Sequence, residues 1–198
     1  MRKFLTYIMI CLFIVSCDSG SGLPEGEEKI DESYSFLNIE YYAADSCREF
    51  SSYALPPITF SNNTDGEVRY PYTLDGFYDS SLFVTDDLDS VVLKAMERIK
   101  LSVPAYIDEN NEIYLGGIKW KYRMQVQRQE SGFSLSSNIA VLPRSTVTIN
   151  CRIFQKQYKA NYKLFLKGDM TGTLKIIEGV WTGVYFDYPQ VDIQSSDS

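Results

Sequence analysis

The stretch Thr146–Lys167, TVTINCRIFQKQYKANYKLFLK, decides the fold. Apolar side chains recur at every second position: Val147, Ile149, Cys151 and Ile153 first, then Tyr158, Ala160, Tyr162, Leu164 and Leu166. In the second run Lys159, Asn161, Lys163 and Lys167 fill the intervening positions. A period of two marks a strand with one dry and one wet face, because alternate side chains leave a strand on opposite sides. A helix would mix the two sets.

The same alternation governs Lys119–Gln129. Trp120, Tyr122, Met124 and Val126 point one way, and Lys119, Lys121, Arg123, Gln125 and Gln127 the other. This predicts a strand with a wet, basic face. Further strands are predicted over Ser35–Tyr42, Ile58–Ser61, Glu67–Leu74, Ser80–Thr85, Arg98–Val103, Glu112–Leu115, Phe133–Leu142, Thr173–Glu178 and Val180–Asp187. Turn-forming residues separate them, as in Asn62-Asn63-Thr64-Asp65-Gly66 and Glu109-Asn110-Asn111. Many short strands joined by polar turns predict an all-β domain, an elongated antiparallel sheet or sandwich with room for one short helix. That helix is expected at Asp87–Met96, entering a strand near Glu97. Its acids lie at the front and Lys94 toward the end, as the helix dipole favours, and Leu88, Val91, Val92, Ala95 and Ile99 share one face. An alternating strand also fits part of this segment. The polar end, 194–198, is expected to fray as a disordered tail.

Histidine is absent. That excludes a Ser-His-Asp triad, a Cys-His pair and the HExxH zinc arrangement together. Asp86, Asp87 and Asp89 form the one conspicuous carboxylate cluster, and acids at a helix start are expected to cap it. No residue is assigned catalysis, no metal or cofactor is expected, and the chain is read as not an enzyme. The formal net charge of -7 disfavours nucleic acid as a partner. Lys119, Lys121, Arg123, Lys159 and Lys163 nevertheless suggest a basic stripe on two strands, a candidate binding surface for an anionic glycan or protein. The aromatic clusters Tyr41-Tyr42, Tyr70-Pro71-Tyr72 and Phe77-Tyr78 suggest a second, stacking platform.

The first residues read MRKFLTYIMICLFIVSC. Two cations precede an apolar run too short for a stable membrane span, which is an export signal. The segment resembles a bacterial lipoprotein signal, with Ile14-Val15-Ser16-Cys17 as its lipobox. The resemblance implies a signal peptide over 1–16, cleavage before Cys17, and lipidation of that thiol. Residues 17–33 then form a flexible acidic tether ahead of a β-rich domain over 34–193. The expected location is the bacterial cell envelope, lipid-anchored at the outer membrane. Cys47 and Cys151 remain, and an oxidising envelope makes them a candidate disulfide.

Four features resemble the stem domain of the aerolysin-like family, in its epsilon-toxin and mosquitocidal-toxin branch. They are Thr59–Thr64, Leu101–Ile107 with Pro104, Val141–Val147 with Pro143, and the late strand from Gly172 to Val184. The resemblance implies a long antiparallel scaffold. In pore-forming members an amphipathic hairpin becomes a membrane barrel in an oligomer. Here the corresponding insertion segment is taken as Asp86–Lys100, with Asp86, Val91, Val92, Leu93 and Lys100. It is short for two spanning strands of about 9–11 residues each. The leading functional expectation is therefore a lipid-anchored envelope β-domain acting in binding, and the alternative is a pore-forming or membrane-active protein.

Overall fold

A computed structural model describes residues 32–87 and 89–197. The signal peptide, the lipidation site at Cys17 and nearly all of the tether lie outside the described residues. The chain runs β1(Tyr34–Ala54), β2(Ile58–Asn62), β3(Val68–Leu74), β4(Tyr78–Thr85), α1(Ser90–Met96), β5(Lys100–Ile107), β6(Ile113–Lys121), β7(Gln127–Glu130), β8(Leu135–Val141), β9(Ser145–Gly168), β10(Leu174–Phe186) and β11(Gln190–Asp197).

β9 is the spine. At 24 residues it unites both alternating runs of Thr146–Lys167 in one strand. All pairing along it is antiparallel. One edge takes β1 opposite Arg152–Gly168 and β2 opposite Ser145–Ile149. The other takes β10 opposite Gln155–Lys167 and β11 opposite Ser145–Arg152. Two prolines, Pro56 and Pro57, lie between β1 and β2, and Pro189 lies between β10 and β11, where proline cannot donate to a ladder. The sheet continues through β4 to β7.

The inward set changes parity along the spine. Pairing with β1 runs without a shift from Arg152 to Tyr158, so Ile153 and Tyr158 leave the sheet on opposite faces. Each face has its own cover and core. The β3–β8 pair packs Tyr72, Leu74, Ile139 and Val141 over Val147, Ile149, Cys151 and Ile153. The β5–β6 hairpin and α1 pack Val92, Met96, Leu101, Val103, Ile107 and Trp120 over Tyr158, Ala160, Tyr162, Leu164 and Leu166.

Several expectations need correction. β1 runs on to Ala54, past an irregularity between Ala43 and Arg48. The strands expected on either side of Gly179 are one strand, β10. The strand expected over Lys119–Gln129 stops at Lys121 and resumes as β7 at Gln127. Gln194–Asp197, expected to fray, pairs with Ser145–Thr148. Cys47 and Cys151 are both buried and free. Leu55 donates its backbone N–H to the Cys151 carbonyl, so Cys47 lies eight positions up β1, roughly 25 Å away at about 3.3 Å per residue, far beyond disulfide reach.

Candidate functional site

β4 and β7 are direct antiparallel neighbours, with Tyr78 opposite Glu130 and Ser81 opposite Gln127. A tight connection would suffice between them. Instead the chain makes a long excursion between Thr85 and Gln127, forming α1 and the β5–β6 hairpin, and meets β4 again on its return, where the Arg123 carbonyl accepts the Phe83 N–H at 3.3 Å.

α1 begins as the acids predict. The Asp89 side chain caps it by accepting the Val91 N–H at 3.1 Å. Lys175 on β10 then pairs with Asp87 at 3.4 Å and Asp89 at 3.1 Å. These carboxylates are thus structural ligands of a helix start and one lysine. Val92 and Met96 are buried, while Val91 is exposed. Within the candidate insertion segment Asp86–Lys100, Ser90–Met96 is a helix that buries Val92 and Met96, and Lys100 opens β5.

The hairpin is a two-stranded sheet of its own, with no ladder to the main sheet. Its turn is set by Asp108, whose carboxylate accepts the N–H groups of Asn110 at 2.9 Å and Glu112 at 2.8 Å. Asn111 there adopts φ 65°, a left-handed conformation that asparagine tolerates. Tyrosine hydroxyls fasten the hairpin down. Tyr41 donates to the Ser102 carbonyl at 3.0 Å, and Tyr185 to the Pro104 carbonyl at 2.7 Å. Tyr122 and Tyr162 share a hydrogen bond of 2.6 Å beneath it. Burial pushes Tyr41, Tyr162 and Tyr185 well above the usual phenol range, so they remain protonated donors. The Tyr158 hydroxyl is buried in the same layer without a partner among the described residues.

Outside, Tyr106, Tyr114, Leu115 and Ile118 are exposed, as are Met124 and Val126 in the segment after β6. The alternation marks Tyr158 and Tyr162 as inward residues of β9, whereas nothing local marks Tyr41 and Tyr185 as anchors.

The basic stripe divides. Lys119, Lys121 and Arg123 belong to the hairpin and the segment behind it. Lys159, Lys163 and Lys167 project from the face of β9 opposite the one the hairpin covers, since Tyr158, Ala160 and Tyr162 hold the covered face. Lys163 is also engaged by Glu178 at 2.8 Å, which raises its pKa through that hydrogen bond. Lys100 and Arg128, unforeseen, join the first group around an open groove. The aromatic clusters form no common platform either: Tyr72 is buried, Tyr70 stacks on Phe60, and Phe77 packs between Phe133 and Phe186. Among the described residues no acidic, cysteine or histidine cluster suits a metal. No described helix is long and apolar enough to cross a membrane, which leaves strands unaddressed.

No family model matches the chain. No curated protein matches it either. Among solved structures, the lamprey immune protein aligns with a TM-score of 0.54 at 13% identity, covering 83% of this chain and 53% of that one. The chain thus spans about half the length of that protein. Parasporin-2, a Bacillus thuringiensis toxin that recognizes cancer cells, aligns at 0.43 with 14% identity over 83% of this chain and 75% of its own. An aerolysin-like protein of Bombina maxima aligns at 0.44 with 9% identity over 83% and 99%. The chain has an all-β fold of the aerolysin-like kind. At these identities the likeness speaks of the fold alone.

Proposed function

We propose that this protein is membrane-active and pore-forming, held at the bacterial outer membrane by a lipid at Cys17, and that the segment 98–127 is its inserting hairpin. The observation that carries this reading is an unused pattern. Ile118, Trp120, Tyr122, Met124 and Val126 alternate with Lys119, Lys121, Arg123, Gln125 and Gln127, yet pairing stops after Lys121 and Met124 and Val126 are exposed. Local preference and resting structure disagree here, and such conflicts concentrate at functional elements.

Extending the hairpin relieves the conflict without a change of register at its base. Lys100 already faces Lys121 and Leu101 faces Trp120, and the Tyr122 N–H donates to the Ile99 carbonyl at 3.1 Å. In that register Arg98–Ile107 lies opposite Ile113–Arg123, and each strand reaches the length of about 9–11 residues that a spanning strand requires. Ile99, Leu101, Val103, Ile118, Trp120 and Tyr122 would meet lipid, with Met124 opposite Glu97 at the headgroup boundary. Lys100, Ser102, Lys119, Lys121 and Arg123 would line the lumen. Glu97 falls on the apolar side, but at the open end, level with headgroups. The objection that two strands do not fit in Asp86–Lys100 disappears once the whole excursion between β4 and β7 is the inserting unit. A barrel also requires several copies of the chain, since two strands leave open edges in lipid.

Dye release tests the reading. Full-length chain carrying Cys17→Ser should empty dye-loaded vesicles at micromolar concentration. Absence of release there would reject pore formation.

A further inference from the structure

Five cations converge where the hairpin meets β7. Lys100, Lys119, Lys121, Arg123 and Arg128 line an open groove of about 420 Å³ together with Val126. Lys100 and Lys121 are direct cross-strand partners, and Lys119 lies opposite Ser102. Like charges placed opposite each other destabilise a sheet. Yet among the described residues none of the five enters an ion pair, although the chain as a whole is acidic. Glu97, which borders the neighbouring hollow with Arg123 and Met124, is the acid beside the cluster. A fold that keeps five cations together without counter-charges has a surface suited to an external polyanion.

The side chains among those cations select which one. Val126 is 57% exposed within the groove, and Met124 is 40% exposed beside Arg123. A soluble sulfated or phosphorylated polymer offers these aliphatic groups nothing. At a bilayer surface, cations meet headgroup phosphates while adjacent apolar side chains enter the acyl boundary. Gln125, Gln127 and Gln129 line the same groove and supply amide donors for phosphate oxygens.

We infer that this groove docks the resting protein on an anionic phospholipid surface, with Lys119, Lys121 and Arg123 contacting phosphates and Met124 and Val126 dipping between headgroups. The inference rests on the membrane-acting part of the proposed function and not on hairpin insertion. Arg128 lies on β7 and remains in the main sheet, so docking does not require the hairpin to move.

Co-sedimentation of the full-length Cys17→Ser chain with vesicles tests it. Phosphatidylcholine vesicles are compared with vesicles containing phosphatidylglycerol, and the leader, whose Arg2 and Lys3 also favour anionic lipid, is common to every variant and cancels between them. The wild-type groove should favour the anionic vesicles, less so as salt is raised. Lys119→Glu with Lys121→Glu should lower that preference about tenfold or more, given the attraction each basic residue contributes near such a surface. Lys159→Glu with Lys167→Glu changes the net charge equally on the other face and should leave the preference within about twofold. If the first pair melts early, Lys119→Gln with Lys121→Gln provides the same comparison. Equal loss from both pairs, indifference to lipid charge, or binding to heparin without vesicle adsorption would each overturn the inference. Charge-dependent adsorption without dye release would uphold it and reject the pore reading alone.

Discussion

The Tyr185 hydroxyl of β10 donates to the Pro104 carbonyl of β5 at 2.7 Å, joining the rigid sheet to a hairpin with which it shares no ladder. Tyr41 does the same from β1 to Ser102 at 3.0 Å. Both bonds reach main-chain carbonyls near the irregular pairing between Ser102 and Tyr106. Besides these donors and apolar contact, the Phe83 N–H of β4 donates to the Arg123 carbonyl behind β6 at 3.3 Å, so β5 and β6 can separate from their support without breaking a ladder.

Tyr41→Phe with Tyr185→Phe removes those donors and leaves the rings in place. Each loss should cost about 1 kcal/mol. Hydrogen exchange should quicken in β5 and β6 and remain slow in β9 and β10, and dye release should accelerate. Uniform loss of protection would mean that the hairpin opens only when the whole domain unfolds.

Gly179 sits where the sheet tolerates no side chain. A Cβ there would collide with the Val84 carbonyl and the Tyr162 ring. Gly179→Ala should therefore destabilise the fold by about 2–3 kcal/mol through overpacking, read as a lower thermal midpoint. Gly117→Ala, with open space around its Cβ, should stay within about 1 kcal/mol of wild type.

The start of β1 is stapled to the β9–β10 turn by carboxylates. Glu32 accepts the backbone N–H of Thr171 at 2.9 Å, which lowers its pKa, and Asp169 accepts the hydroxyls of Ser33 at 2.6 Å and Ser35 at 2.5 Å, which lower its own. Because both folded-state values lie below the unfolded ones, the stabilisation is complete above the unfolded pKa and is lost as pH falls through the folded pKa. Exchange protection of the turn should weaken on acidification in that window. Glu32→Gln with Asp169→Asn should flatten the response, and an unchanged profile would remove the staple from the account.

If the hairpin lines a pore, Lys100, Lys119, Lys121 and Arg123 ring its lumen, and rings of basic side chains favour anions. Reversal potentials across a salt gradient should show anion preference. Lys119→Glu with Lys121→Glu should diminish or invert it. Cation preference in the wild type would place these residues elsewhere.

Much of the fold was legible in the sequence. The two alternations in Thr146–Lys167 are both real, but periodicity alone does not say that their phase change at Gln155–Gln157 marks one strand crossing between two covers. Proline and polar turns marked the ends of β2, β3, β4 and β8 to within two residues. The α1 helix was legible from its acids and its apolar face. Long-range pairing was not: nothing local to Lys119 or Lys159 says that they lie on opposite sides of one sheet, or that Cys47 and Cys151 lie far apart along paired strands. That β4 and β7 are neighbours, with one excursion between them, is visible only in three dimensions. Tyr41 and Tyr185 act through carbonyls of a distant hairpin, a role no sequence pattern specifies.

The most direct test of the inserting hairpin is an environment-sensitive fluorophore placed in turn on Ile118→Cys, Lys119→Cys, Met124→Cys and Gln125→Cys. All four positions are exposed in the resting protein. On adding vesicles, the labels at 118 and 124 should shift to the blue and resist aqueous quenchers, while those at 119 and 125 should remain accessible to water. Emission that stays aqueous at all four positions, or moves without alternating, would contradict insertion of this segment as a membrane strand.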